Sequence, residues 1–133
     1  GAAEFDAFLR ATRVLVCVLP LTPETTGIVN AATLARLRPN AYLINIGRSG
    51  HVVDADLLAQ IESGHVAGAT LDVFAAEPLP PAHPFWAHPK IRITPHIAAN
   101  TLPQDSIPQI VAKLRAMARG DTLAGAVDFA RGY

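Results

Sequence analysis

Four short apolar runs dominate the chain: Val14 to Leu19, Tyr42 to Ile46, Val66 to Val73 and Ile91 to Thr94. Each is continuous, not alternating. Strands read this way when helices cover both faces of a parallel sheet. The segments between them have helical spacing. Glu4 to Ala11 places Phe5, Phe8 and Leu9 together, and Ala31 to Leu37 follows a possible cap at Asn30. Asp54 to Ser63 sets Leu57, Leu58 and Ile61 on one face, with Gly64 as the stop. A last helix is expected from Pro103 to Arg119, with Ile107, Ile110, Val111 and Leu114 on its inner stripe and Gly120 at its end. Pro103 suits the first turn; Pro108 is expected to bend the helix. The proline-rich stretch from Glu77 to Pro89 reads as an extended loop, not a helix. Alternating strands and helices point to an α/β fold with right-handed crossovers.

The totals narrow the function classes. With 133 residues there is room for one domain and not clearly for two. Eleven Lys and Arg balance eleven Asp and Glu, and no basic run occurs, so no nucleic-acid partner and no membrane partner is expected. Val14 to Leu19 is far too short to span a bilayer. The single cysteine, Cys17, sits in an apolar run and reads as a buried, inert thiol compatible with a reducing cytoplasm. No signal peptide is visible. The chain does not begin with Met, and processing or truncation is expected to have set residue 1.

In open α/β sheets, ligands sit beyond the carboxyl ends of the strands. The first run is followed by Pro20-Leu21-Thr22-Pro23-Glu24-Thr25, the second by Gly47-Arg48-Ser49-Gly50. The third ends at Asp72 with Glu77 a few residues on, and the fourth at Pro95-His96. Every strand end thus delivers polar or small residues to one edge. Arg48, Glu77 and His96 form a coherent set. A guanidinium holds a carboxylate through two parallel hydrogen bonds. A histidine exchanges a proton near neutral pH, and a carboxylate on its other nitrogen fixes the tautomer. Such a set suits a small acid with a neighbouring carbonyl. The hydride must come from a nicotinamide cofactor, because no side chain supplies one. Taken singly, each residue is more often a surface or salt-bridge group. His51, His83 and His88 lie in polar loops and His65 in a turn; none is given a role. Trp86 reads as loop packing. No metal site is expected, since no histidine pair has ligand spacing beside a further Cys or carboxylate pair. No serine-hydrolase elbow is present.

The stretches LVCVLPLTPETTGIVN, LINIGRSGHVVDADLL, GATLDVFAAEPLP and ITPHIAA resemble, in order and spacing, the D-isomer-specific 2-hydroxyacid dehydrogenases. The likeness runs over almost the whole chain. HVVDADLL, EPLPPAHPFWAHPKI and the ending VDFARGY are similar to the branch that reduces glyoxylate and hydroxypyruvate, and imply that Tyr133 is a true C-terminus. The resemblance implies the C-terminal part of a Rossmann-like, doubly wound parallel sheet. Residues 1–100 would be a partial dinucleotide-binding domain; 101–133 would be a helix and tail returning to the substrate domain. It implies that Arg48 binds the substrate carboxylate and keto oxygen, that His96 is the acid/base, and that Glu77 is its partner. Leu19, Pro20, Thr25, Ile46, Gly47, Arg48, Asp72, His96 and Ala98 would line NADP or NAD, with Asp72 facing the carboxamide and NADP favoured. The implied enzyme is a cytoplasmic homodimer acting on a small 2-oxo or 2-hydroxy acid. Other readings within this fold are a different 2-oxo acid such as phosphohydroxypyruvate, a regulatory or structural NAD-binding module, and an inactive fragment. Formate enzymes of the family carry Gln where this chain has Glu77, which argues against that substrate.

Two departures matter. The family more often has Ala or Ser before the arginine and Gly after it, whereas Gly47 and Ser49 stand here; a serine would strain a turn of positive φ. The G-x-G-x-x-G turn that cradles a pyrophosphate does not occur in these residues. Weak dinucleotide binding, an unpaired sheet edge and apolar faces prone to association are therefore expected.

Overall fold

A computed structural model describes residues 2–129, so the expectation placed on Tyr133 lies outside the described residues. The chain divides into two compact units between Ala98 and Ala99. The first holds helix α1 (Ala2–Ala11), strand β1 (Val14–Cys17), helix α2 (Ala31–Leu34), strand β2 (Ala41–Asn45), helix α3 (Asp54–Glu62), strand β3 (Val66–Leu71) and strand β4 (Ile91–Ile93). All three strand pairings are parallel, in the order β1-β2-β3-β4. This is the parallel α/β architecture expected from the four apolar runs.

One face of the sheet is well covered. Leu43 on β2, Ala69 on β3 and Leu57 and Ile61 on α3 are fully buried, and α3 packs on β3. Burying a side chain of the size of Leu57 or Ile61 contributes about 1.5–3 kcal/mol. The helices are capped locally. Asn30 accepts from the Thr33 N–H at 3.1 Å, and Asp56 of α3 accepts from the Ala31 N–H at 2.8 Å. Asp54 and Asp56 place negative charge in the first turn of α3. Gly64 closes it at φ +80°.

The opposite face is less complete. Val14 and Val16 on β1, and Val18 just beyond it, are exposed, while Leu15 and Cys17 are buried. The run that reads as covered on both faces is thus covered on one, and β1 is an edge strand. The open edge and the exposed apolar face agree with the expectation drawn from the missing upstream motif.

Three local readings change. α2 is a single turn and does not reach Leu37; Leu37 is buried all the same, in the turn before Pro39. The proline-rich loop contains a 3-10 turn, Pro84–Ala87, at which the His83 side chain accepts from the Phe85 N–H. Within that turn Phe85 is buried and Trp86 is 53% exposed, so Trp86 is not the residue that packs.

The second unit holds α4 (Pro103–Ala118), with Pro103 in its first turn and Pro108 inside it. Gly120 follows the C-cap at φ +78°. None of its residues is buried; the stripe of Ile107, Ile110, Val111 and Leu114, expected to face inward, is exposed. Among the described residues no helix is long and apolar enough to cross a membrane.

Candidate active site

The carboxyl ends of β2, β3 and β4 are joined by a network that begins at Asn45. Its backbone carbonyl accepts from the Asp72 N–H at 3.0 Å. Its side-chain oxygen accepts from the Gly47 N–H at 3.2 Å, and its amide donates to the Arg48 carbonyl at 3.1 Å. A buried asparagine at the last position of a strand thus turns the chain and presents Arg48 to solvent. Nothing in the apolar run LINI singles out this residue, because an asparagine there also reads as a strand end.

Asp72 organises the next loop. It is 1% exposed, and its carboxylate takes three donors: the Thr94 hydroxyl, the Ile97 N–H at 2.9 Å and the Ala98 N–H at 3.0 Å. Burial pushes this carboxyl up, but the hydrogen bonds from Thr94, Ala98 and Ile97 and the nearby His96 outweigh it and hold the group below the usual carboxylate range. The His96 N–H donates to the Asp72 carbonyl at 2.9 Å. The loop is held from both its backbone and its side-chain side by one aspartate.

That loop carries His96 at φ +54°. Left-handed backbone is uncommon for a residue with a side chain and persists where the surroundings impose it. Here Asp72 and Thr94 impose it. His96 Nδ1 lies 2.8 Å from Glu77 Oε2, and Glu77 Oε1 accepts from the Phe74 N–H at 2.8 Å. The bond to His96, and then that from Phe74, hold the Glu77 carboxyl below its ordinary range. With Nδ1 engaged by a carboxylate, Nε2 is the nitrogen left for a substrate. The pair borders a cavity of about 250 Å³ lined by Phe74, Leu79, Trp86, Ile93 and Pro95 among others.

The structure therefore brings Glu77 and His96 into direct contact. Arg48 stands at the neighbouring strand end; among the described residues it is not hydrogen-bonded to that pair, and its Nη1 donates to the Gly47 carbonyl at 2.7 Å. Leu19 and Pro20 are exposed beyond β1. The Thr25 hydroxyl donates to the Pro20 carbonyl at 2.7 Å and accepts from the Thr22 N–H at 2.8 Å, so it shapes this loop from within. Ile46 is half-buried and Gly47 buried. A Cβ on Gly47 would lie 3.2 Å from the His51 ring and 3.3 Å from the Cys17 carbonyl, a tight fit that a small side chain meets only if these neighbours give by a few tenths of an ångström. Ser49 shows no positive φ; among the described non-glycine residues only Asn40 and His96 do. The strain foreseen at Ser49 is absent because residues 49–51 form a 3-10 turn.

His51 departs most from its sequence reading. It is fully buried, not a polar loop residue, and both ring nitrogens meet backbone groups. Among the described residues no group of three or more His, Cys, Asp and Glu side chains is placed to hold a metal ion.

Comparison with known proteins places this geometry. The family model for the NAD-binding domain of D-isomer-specific 2-hydroxyacid dehydrogenases matches residues 1–98. The chain is 51% identical to glyoxylate/hydroxypyruvate reductase A of Yersinia enterocolitica and 54% identical to that of Serratia proteamaculans. Both matches span all 133 residues but only 42% of the relative. Among solved structures, a D-isomer-specific 2-hydroxyacid dehydrogenase from Xanthobacter autotrophicus in complex with NADPH is 44% identical with a TM-score of 0.94. That match covers 100% of this chain and 55% of the other. An NADPH-dependent glyoxylate/hydroxypyruvate reductase from Sinorhizobium meliloti, solved with NADP and sulfate, is 42% identical with a TM-score of 0.92, over 99% of this chain and 43% of the other. Fold and likeness agree: the chain belongs to the D-isomer-specific 2-hydroxyacid dehydrogenases, and its residues 1–98 match their NAD-binding domain.

Proposed function

We propose that the chain is the C-terminal part of an NADPH-dependent reductase acting on glyoxylate or hydroxypyruvate. The observation that carries this is the Glu77–His96 contact at 2.8 Å, at the same sheet edge as Arg48. Arg48 binds the carboxylate of the 2-oxo acid and polarises its ketone. His96, fixed in one tautomer by Glu77, donates from Nε2 to the carbonyl oxygen, which becomes the hydroxyl of the product. The nicotinamide cofactor, when bound, supplies the hydride.

The residues present fit the nicotinamide side of such a cofactor. Leu19, Pro20, Thr25, the backbone from Ile46 to Arg48, Asp72 and Ala98 would line it. Asp72 does so indirectly, because its carboxylate is committed to Thr94, Ile97 and Ala98. No residue here fits the pyrophosphate, since the glycine-rich turn is not in the sequence. NADP is favoured over NAD by the relatives, two of which were solved with NADPH or NADP. The full enzyme is proposed to be a cytoplasmic homodimer in which residues 101–133 return to the substrate domain.

The test is NADPH oxidation in the presence of hydroxypyruvate or glyoxylate, by this chain and by a longer polypeptide in which the upstream part of a relative precedes it. Turnover by the longer polypeptide is expected; its absence, in a folded product that binds NADPH, contradicts the assignment.

A further inference from the structure

We propose that His51 is a positioning residue for substrate binding, a role that rests on the function proposed above. Two other segments meet at its ring. With the proton on Nε2, Nδ1 accepts from the Arg48 backbone N–H at 3.2 Å; in the other tautomer it donates instead to the Arg48 carbonyl at 2.9 Å. Nε2 lies 3.3 Å from the Pro20 carbonyl, 31 residues away in sequence. The ring packs close against Gly47, where an added Cβ would lie 3.2 Å from it. The His51 backbone is fixed too, because its carbonyl accepts from the Val29 N–H at 2.9 Å.

The imidazole therefore clasps the backbone of Arg48, the residue that grips the substrate. The Arg48 side of the clasp matters more. The Pro20 carbonyl is already held by the Thr25 hydroxyl at 2.7 Å and the Arg48 carbonyl by the Asn45 amide at 3.1 Å, whereas the Arg48 N–H has the His51 ring as its acceptor. Loosening the ring should shift the Arg48 backbone, and with it the guanidinium, while the loop beyond β1 keeps its shape. Small errors in the placement of a binding group carry large rate effects. A buried polar ring is also a polar liability unless its partners are met, and here they are met by functional backbone.

The test uses the longer polypeptide with three substitutions. An asparagine amide falls near the position of Nδ1 and keeps the contact with Arg48. A glutamine amide falls near Nε2 and keeps the contact with Pro20. Leucine fills the space and keeps neither. For His51→Leu and His51→Gln, kcat/KM for hydroxypyruvate should fall roughly ten- to hundredfold. Inhibition by oxalate, which presents the same carboxylate, should weaken in parallel, and NADPH binding, which the Arg48 backbone also borders, should weaken less than oxalate binding. His51→Asn should recover most of the loss. The inference is overturned if all three variants match the wild type, if glutamine rescues as well as asparagine, or if NADPH binding falls as much as oxalate binding, as in general loss of structure. Should His51→Leu fail to fold, the asparagine–glutamine contrast decides alone. A parent that binds NADPH without turning over hydroxypyruvate would overturn the functional reading and this inference with it; an active parent with an indifferent His51 overturns only the latter.

Discussion

The two ends of the sheet differ in how complete they are. At β3 and β4 the strand-end loop is closed on itself: one buried carboxylate receives three donors and fixes the backbone that presents His96. At β1 the strand has a free edge, and Val14, Val16 and Val18 are exposed. The difference shows which end of the sheet is completed within this chain. The Glu77–His96 pair is supported by residues close to it, with Asp72 and His96 at adjacent strand ends. Among the described residues nothing pairs along the outer edge of β1. The chain spans 42% of the length of the curated relatives it matches.

The largest effect expected from breaking the closed end is at Asp72. Asp72→Ala leaves two N–H groups and a hydroxyl without their acceptor inside the protein. Ile97 and Ala98 are exposed, so water takes up part of the loss, which should come to about 1–3 kcal/mol. Urea denaturation of the chain reads this directly, and an unchanged midpoint would refute the role of Asp72 as the organiser of the loop.

Next in size is the behaviour of that end in acid. Both Asp72 and Glu77 have carboxyls held below their ordinary values in the fold. A lowered folded value means that their contribution is fully present above the ordinary carboxylate range and is lost as pH falls through the lowered values. The unfolding midpoint should therefore decline in acid, below the ordinary range and not near neutrality. The decline should be shallower in Asp72→Asn, which has no charge to lose there.

A smaller effect concerns the backbone of His96. At φ +54° a glycine is relieved of the side-chain penalty, so His96→Gly should be more stable than His96→Ala by about 1 kcal/mol. Equal stabilities would show that the loop relaxes when the ring is gone, and that the strained backbone depends on the side chain.

At the open end the expected change is in association more than in stability. Val16→Lys puts a charge on an exposed apolar face and should reduce self-association seen by sedimentation, with a stability change of roughly 0.5 kcal/mol or less. In the longer polypeptide the same substitution should be damaging, since the face would then be covered.

Much of this contrast was legible in the sequence. The four apolar runs gave the strands, because a parallel sheet buries continuous hydrophobic segments. Glu77 and His96 were legible as a chemical pair once the strand ends were aligned, although 19 residues separate them. What was not legible depends on tertiary geometry. His51 follows Gly-Arg-Ser-Gly and reads as a solvated loop residue; nothing in the sequence reports that its ring packs close against Gly47. Trp86 and Phe85 exchange the burial that size alone suggests, because the 3-10 turn points the phenylalanine inward. The left-handed backbone of His96 is imposed by Asp72 from another strand, which no local pattern carries. α2 stops at Leu34 although Leu37 keeps the apolar spacing; Pro39 restricts only Arg38, so nothing local in the sequence marks the stop.

The proposed reduction depends most on His96 donating a proton while Glu77 fixes its ring. The direct measurement is kcat for hydroxypyruvate reduction by the longer polypeptide and its His96→Ala variant, with NADPH binding followed in both. A fall on the order of a hundredfold or more, with NADPH still bound, is the predicted result. Turnover near that of the unsubstituted protein would contradict it.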